Sequence, residues 1–173
     1  MEAFEIHGVL LRLSSDEVSP VIWQALKDGS YEAKEARSVA RAVRPGDRVL
    51  ELGSGIGVIT SVIARIPDVS VFAFEANPST ARLAERILEA NGARNVRFSQ
   101  GLLTAGDPDT HIFYVRRDLW MSSMDEKQGP YESRIEIGSE NSDAFIKQHD
   151  VNVLVMDIEG AERDLLRDAK LKG

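Results

Sequence analysis

The chain has 173 residues, 43% of them hydrophobic and 28% charged, which suits one soluble globular domain. Its 21 Lys and Arg against 28 Asp and Glu give a net charge of −7, so no nucleic-acid or anionic-membrane partner is expected. The absence of cysteine excludes disulfides, thiolate metal sites and a cysteine nucleophile. With no basic, apolar leader and no run of about 18 apolar residues, the sequence predicts a cytoplasmic protein.

Residues 1–46 are predicted to form an N-terminal hairpin and a helical cap. Apolar residues alternate on both sides of His7-Gly8, a pattern typical of a short hairpin. Helices are predicted over 20–27, where Ser19-Pro20 supplies the cap and first residue, and over 33–43. A Pro-Gly pair then forces a turn that separates this part from the rest of the chain.

From residue 47 to residue 173, short apolar runs alternate with helical stretches. In chain order, the predicted elements are a strand at 48–52, a helix at 58–66, a strand at 69–74, a helix at 78–91, a strand at 96–99, a loop at 101–110, strands at 112–115 and 134–137 flanking a turn at 125–130, a helix at 142–149, a strand at 151–156 and a helix at 161–169. Strands alternating with helices predict an α/β fold with a Rossmann-like, doubly wound, mostly parallel sheet.

The first candidate site is the glycine-rich turn Glu51-Leu-Gly53-Ser-Gly55-Ile-Gly57, directly after a strand. Alternate glycines admit unusual backbone angles and leave no Cβ between a ligand and the next helix N-terminus. A dinucleotide fingerprint would need its third glycine where the chain has Val58, and a phosphate-binding loop would need a lysine that is absent. An NAD-dependent oxidoreductase is therefore disfavoured.

The second candidate is Glu75, at the end of the next predicted strand and a little over twenty residues after the first glycine. In a doubly wound fold, an acid at this point faces the crevice beyond the strand ends. It can there accept two hydrogen bonds from a ribose diol. Without the glycine turn, a solvated carboxylate near a helix start would explain Glu75 equally well.

Together these features resemble motifs I and II of the class I S-adenosylmethionine-dependent methyltransferases. Three stretches narrow the resemblance to the FkbM-type family: Gly29-Ser-Tyr31-Glu32, Phe74-Glu75-Ala-Asn77-Pro78 and Met156-Asp157-Ile-Glu159-Gly-Ala-Glu162. The likeness runs from about Gly29 to the chain end. It implies an O-methyltransferase that acts on a hydroxyl of a small molecule or sugar.

The resemblance also implies a donor site. The residues that would bind S-adenosylmethionine are Tyr31, Glu51, Gly53, Ser54, Gly55, Gly57, Glu75, Ala76, Gln100, Gly101, Leu102 and Asp157. Among them, the glycines would line the methionine and ribose portions, and Glu75 would hold the ribose hydroxyls. Glu51 would approach the amino end through water or backbone. Tyr31, together with Glu32, would close over the methionine end, and the adenine would lie near Ala76 and residues 99–102.

Asp157 and Glu159 are the candidate catalytic residues. Methyl transfer is an in-line displacement, so the protein chiefly orients donor and acceptor, and a base can remove the hydroxyl proton. Either carboxylate could act as this base or position the acceptor. The pair could instead hold Mg²⁺, but no third ligand is identifiable, so no metal site is predicted. Glu159 could also simply stabilise the N-terminus of the last helix.

The chain is predicted to contain fewer strands than the sheet of a class I methyltransferase. A class I methyltransferase sheet has seven strands in the order 3-2-1-4-5-7-6, and only the first four parallel strands are predicted here. The exposed edge of the strand at 151–156 would then be covered by the middle hairpin, by a second copy of the chain in a homodimer, or by a missing C-terminal segment. The domain at 47–173 is thus expected to be C-terminally incomplete, and the alternative function is a cofactor-binding module that needs a partner chain or the missing segment for catalysis.

Overall fold

The computed structural model describes residues 1–116, 122–158 and 165. In chain order, the described strands and helices are β1 (Glu2–Ile6), β2 (Val9–Leu13), α1 (Pro20–Lys27), α2 (Ala33–Ala42), β3 (Arg48–Leu52), α3 (Val58–Ala64), β4 (Ser70–Glu75), α4 (Pro78–Ala90), β5 (Val96–Gln100), β6 (Leu102–Thr104), β7 (Thr110–Val115), β8 (Ser133–Asn141), α5 (Ser142–Gln148) and β9 (Val153–Met156). The predicted α/β class is confirmed.

The central feature is a four-stranded parallel sheet in the order β5-β4-β3-β9. Leu50 in the middle of β3 pairs with Phe72 on one side and with Leu154 on the other. This order is the predicted 3-2-1-4 arrangement of the first four strands. Because β3 is flanked on both sides, it is buried almost throughout, and its carboxyl end lies between the carboxyl ends of its two neighbours.

The middle of the chain forms a second, three-stranded sheet in the order β6-β8-β7. The prediction of loop over 101–110 was wrong at β6, because this short strand is defined by its pairing with the distant β8 and not by a local pattern. Strand β8 is also longer than the predicted 134–137. Among the described residues this sheet does not pair with β9, so it does not supply the cover expected for that edge.

The N-terminal hairpin and helices have the predicted bounds within a few residues, but they share their cores with the sheet. Ile6 and Leu11 of the hairpin and Ile22 of α1 belong to one buried cluster with Val58 of α3 and Leu83 of α4. Helix α2 packs in a second cluster with residues of β3, α3 and β4. The division of the chain at residue 46 stays a prediction, since the structure shows two cores that extend across it.

Helix α4 is the longest described helix, at 13 residues. The Asn77 side chain accepts a hydrogen bond from the Ser79 amide at 3.0 Å, and Pro78 opens the first turn, as predicted. In the described ranges, no helix is long and apolar enough to cross a membrane. The predicted helix at 161–169 lies outside the described residues except at Leu165, which is helical and buried.

Candidate functional site

A cavity of about 530 Å³ opens at the carboxyl ends of β3, β4 and β9. Parallel strands bring their carboxyl ends to one edge of the sheet, which is where ligands bind in folds of this kind. The predicted donor-site residues that line it are Tyr31, Gly53, Gly55, Glu75, Ala76, Gly101, Leu102 and Asp157. Residues distant in the sequence thus meet around one space large enough for a small ligand.

The three glycines of the turn have different surroundings, and each is required for a different structural reason. A Cβ atom at position 53 would lie 2.0 Å from the carbonyl oxygen of Asp157, so only glycine lets the end of β9 approach this closely. A Cβ atom at Gly57 would lie 3.3 Å from the Cα atom of Ala84, so this glycine allows α4 to pack against the turn. Gly55 faces the cavity. The conformation is left-handed at all three positions, with φ angles of 80°, 53° and 82°.

The Glu75 carboxylate is fixed by the backbone of the same turn. It accepts a hydrogen bond from the Gly55 amide at 2.9 Å and one from the Asn77 amide at 2.8 Å, each on a different oxygen. Burial raises the pKa of Glu75 to about 7, although these amide bonds act in the opposite direction. Each carboxylate oxygen keeps acceptor capacity for a ligand hydroxyl, because a carboxylate offers about four lone-pair sites.

Glu32 is held in a strained conformation above the turn. Its φ angle is 51°, which is uncommon outside glycine, and its side chain makes no capping bond to α2 although it occupies the N-cap position. One carboxyl oxygen, Oε2, is buried without a hydrogen-bond partner. A Cβ atom at Gly55 would lie 3.7 Å from the other oxygen and 3.8 Å from the Tyr31 hydroxyl, so both side chains face the turn.

Burial, followed by the charge of Glu51, raises the pKa of Glu32 to about 8. Burial also raises the pKa of Tyr31 well above its ordinary value, and Glu32 adds to this effect. A strained backbone together with an unsatisfied buried oxygen is typical of a functional site rather than of a structural one.

Glu51 lies beneath the turn and does not line the cavity. Its carboxylate is 2% exposed and accepts a hydrogen bond from the Thr60 hydroxyl. Burial raises its pKa to about 7, the Thr60 bond opposes this, and Glu75 adds to it. Ser54, Gly57 and Gln100 are also outside the lining. A direct contact of these four residues with a ligand stays a prediction, and Glu159 lies outside the described residues.

The cavity is also lined by residues that no sequence motif indicates. Thr80, in the first turn of α4, has a buried hydroxyl without a hydrogen-bond partner. Ile22 reaches the cavity from α1, and Phe113 from β7. A polar segment between β7 and β8 supplies Ser122, Ser123, Met124, Asp125 and Gln128. None of these belongs to a recognisable motif, because only long-range packing brings them to the glycine turn.

No group of three or more His, Asp or Glu residues suited to a metal ion occurs in the part of the chain that the structure describes. The three histidines are separated along the chain. His7 contacts the backbone oxygen of Tyr31 at 2.7 Å, and His111 contacts the Ser139 hydroxyl at 2.9 Å. These two rings therefore have structural partners within the fold.

The sequence also matches a family of known proteins. A family model described as "Methyltransferase FkbM domain" matches residues 51–173. Two curated relatives are protein-L-isoaspartate O-methyltransferases, from Gloeobacter violaceus (41% identical over 64 residues, 37% of this chain and 31% of the relative) and from Methylorubrum extorquens (47% over 75 residues, 43% of this chain and 32% of the relative). The chain thus matches about a third of each of these relatives.

Among solved structures, M. jannaschii TYW2 in complex with AdoMet is similar at 20% identity and a TM-score of 0.45, over 57% of this chain and 42% of that chain. EvdMO1 is 33% identical with a TM-score of 0.37, over 42% of this chain and 17% of that chain.

The close approach at Gly53 predicts a position-specific loss of stability. Gly53→Ala and Gly92→Ala both place a Cβ on a left-handed residue, which costs about 1–2 kcal/mol, but Gly92 has open space around it. We expect Gly53→Ala to lower the free energy of unfolding by about 1–3 kcal/mol more than Gly92→Ala, because the Asp157 carbonyl must move. Urea denaturation of both variants tests this, and equal losses would contradict the observed contact.

The buried carboxyls predict that the ligand-free protein becomes less stable as the pH rises from about 5 to about 8. Glu32, Glu51 and Glu75 have pKa values above the ordinary 4.5, so the folded state holds protons that the unfolded state releases in this range. Glu32→Gln should flatten this fall in melting temperature, because glutamine cannot ionise. Glu89→Gln, at an exposed position on α4, is the matched control. A profile unchanged by Glu32→Gln would show that Glu32 is not in this buried environment.

Proposed function

The chain belongs to the FkbM family of class I S-adenosylmethionine-dependent methyltransferases, and we propose that it transfers the methyl group of this cofactor to a hydroxyl of a small molecule or sugar. The observation that carries the proposal is the Glu75 carboxylate, which two backbone amides hold at the cavity beside Gly55. A carboxylate fixed in this way can accept both hydroxyls of a ribose.

The residues present fit the cofactor in two further respects. The buried Glu32 and Thr80 oxygens without partners line the cavity, and a ligand with polar groups would satisfy them. Gly55 leaves space next to them because it has no Cβ. The described lining also carries the acids Glu32, Glu75 and Asp157 near the turn, which suits a cofactor with an ammonium and a sulfonium charge.

When bound, S-adenosylmethionine supplies an electrophilic methyl group. The chain must orient the acceptor and accept its proton, and we assign this role to Asp157, which directly follows β9 and lines the cavity. Its backbone amide donates to the Leu52 carbonyl at 3.0 Å, which continues the β3–β9 pairing and fixes the position of the residue. Its side chain is exposed enough to meet an incoming hydroxyl.

Glu75→Ala tests the donor site. We expect the variant to bind S-adenosylhomocysteine about 5- to 150-fold more weakly, because charge-assisted hydrogen bonds to the ribose hydroxyls are lost. Isothermal titration calorimetry measures this, with Glu89→Ala on the exposed face of α4 as the control that should leave affinity unchanged. Unchanged affinity in folded Glu75→Ala would remove Glu75 from the site. Absence of binding by the unmodified protein would refute the proposed function.

Asp157→Asn tests the acceptor side. We expect turnover to fall about 100-fold or more while affinity for S-adenosylhomocysteine stays within about twofold, because asparagine cannot accept the hydroxyl proton. Transfer of radiolabelled methyl groups to a panel of methyl glycosides and phenols provides the readout. A large loss of donor binding would reassign Asp157 to the donor side. Normal donor binding without transfer by the unmodified protein would favour the alternative of a module that needs a partner or further segment.

A further inference from the structure

Arg116 is a buried arginine that follows β7 and is 3% exposed. Its backbone amide donates to the Ser122 hydroxyl at 2.9 Å. Its guanidinium donates to backbone or hydroxyl oxygens of Tyr114 at 3.3 Å, Ser123 at 3.3 Å, Asp125 at 2.7 Å, Glu126 at 3.4 Å and Gly129 at 3.3 Å. A planar fork with five donors can hold this many acceptors at once, whereas a lysine cannot.

Most of these hydrogen-bond acceptors belong to residues 122–129, which we call the 122–129 wall. The wall is not part of a named strand, and one isolated bridge joins it to β7 through Tyr114 and Ser123, with bonds of 2.9 and 3.2 Å. Inside the wall, the Asp125 carboxylate accepts from the Lys127 amide at 2.9 Å. Among the described residues, Arg116 is thus the side chain outside the wall that donates most of the hydrogen bonds to it.

The wall contributes to the same cavity as the glycine turn. Its lining side chains are Ser122, Ser123, Met124, Asp125 and Gln128. Gly53, Glu75 and Asp157 belong to the sheet edge and Tyr31 to the N-terminal part, whereas the wall comes from the middle of the chain. It therefore adds to the cavity a lining made of hydroxyl, amide and carboxyl groups beside one methionine.

The charges of the side chains that line the cavity indicate which class of methyl acceptor can bind there. The described lining residues include the four acids Glu32, Glu75, Asp125 and Asp157 but no Lys, Arg or His. The Arg116 guanidinium is engaged by oxygens of the wall and of Tyr114. Among the described lining residues, a phosphorylated or carboxylated acceptor would meet acids and no compensating cation, whereas hydroxyl groups can bond to the serines and the glutamine.

We infer that Arg116 is a positioning residue that holds residues 122–129 as the acceptor-side wall, and that this wall selects uncharged, hydroxylated acceptors over anionic ones. The inference rests on the proposed methyl transfer and names the substrate class of that site. Arg116 acts through the wall and need not touch donor or acceptor. Replacing it leaves several oxygens without a donor, so the wall should detach while the glycine turn keeps its geometry.

The experiment compares the unmodified protein with Arg116→Gln, Arg116→Lys and the control Arg134→Gln, an exposed arginine on β8. Limited trypsin cleavage after the exposed Lys127 reports whether the wall is held. Calorimetry with S-adenosylhomocysteine reports the donor site. Saturation-transfer difference NMR, with S-adenosylhomocysteine present, reports contact with methyl α-glucoside and with glucose 6-phosphate as the anionic counterpart.

In Arg116→Gln we expect cleavage after Lys127 to be about tenfold faster, donor affinity to stay within about twofold, and contact with methyl α-glucoside to be lost. The control should behave as the unmodified protein, and glucose 6-phosphate should give weaker contact than the glucoside throughout. Arg116→Lys should give an intermediate cleavage rate and an intermediate contact with methyl α-glucoside. This variant provides the test if Arg116→Gln does not fold.

Unchanged cleavage in both variants would overturn the anchoring role of Arg116. A tenfold loss of donor affinity would place the wall on the donor side, and equal or absent contact of the two sugars would overturn the substrate class. Failure of the unmodified protein to bind S-adenosylhomocysteine is a different outcome, because it removes the proposed function itself.

Discussion

The site depends on the close contact between the turn after β3 and the ends of the two neighbouring strands. The amides of Gly53 and Ser54 donate to the Phe74 carbonyl at 2.9 and 3.1 Å, and Gly53 lies against the Asp157 carbonyl. This contact aligns the ends of β3, β4 and β9, so that carboxyls from two different strands face one cavity. Only glycine allows it, because the approach leaves no space for a Cβ atom.

Burial of several carboxyls together, with no Lys, Arg or His among the described residues that line the cavity, is costly in the ligand-free state. The pKa values of about 7 and 8 at Glu75, Glu51 and Glu32 are the direct consequence of burial. A cationic ligand would compensate these charges, and hydroxyl donors would fill the open acceptor positions. The energetic cost in the empty site is thus consistent with binding specificity for a positively charged, hydroxylated molecule.

Three parts of the chain surround the cavity, and each meets a different physical requirement. The parallel sheet supplies rigid strand ends, the N-terminal helices bring Tyr31 and Glu32 over the turn, and the small sheet carries the 122–129 wall. The N-terminal part reaches its place through an apolar core shared with α3 and α4. The sheet edge, the N-terminal part and the 122–129 wall are therefore held at the cavity by different elements.

The sequence by itself determined the alternation of strands and helices, the glycine turn and the position of Glu75 at a strand end, because these depend on short-range patterns of apolar residues, glycines and caps. The order of the strands in the sheet was predicted only through the family resemblance, because strand pairing is not a local property. Asn77-Pro78 is an example, since the cap and first helical residue occur next to each other and require no distant partner. The family resemblance likewise rested on contiguous residues, and the match over 51–173 confirms it.

Only the tertiary structure decided which residues meet across long distances. It separated Glu51, buried beneath the turn, from Gly55 at the cavity surface, although they are four residues apart. It also revealed β6, whose partner strand lies more than thirty residues away. Thr80 and Arg116 have no local signature, because their environments are created by packing between elements, and packing is a property of the folded chain rather than of any short segment.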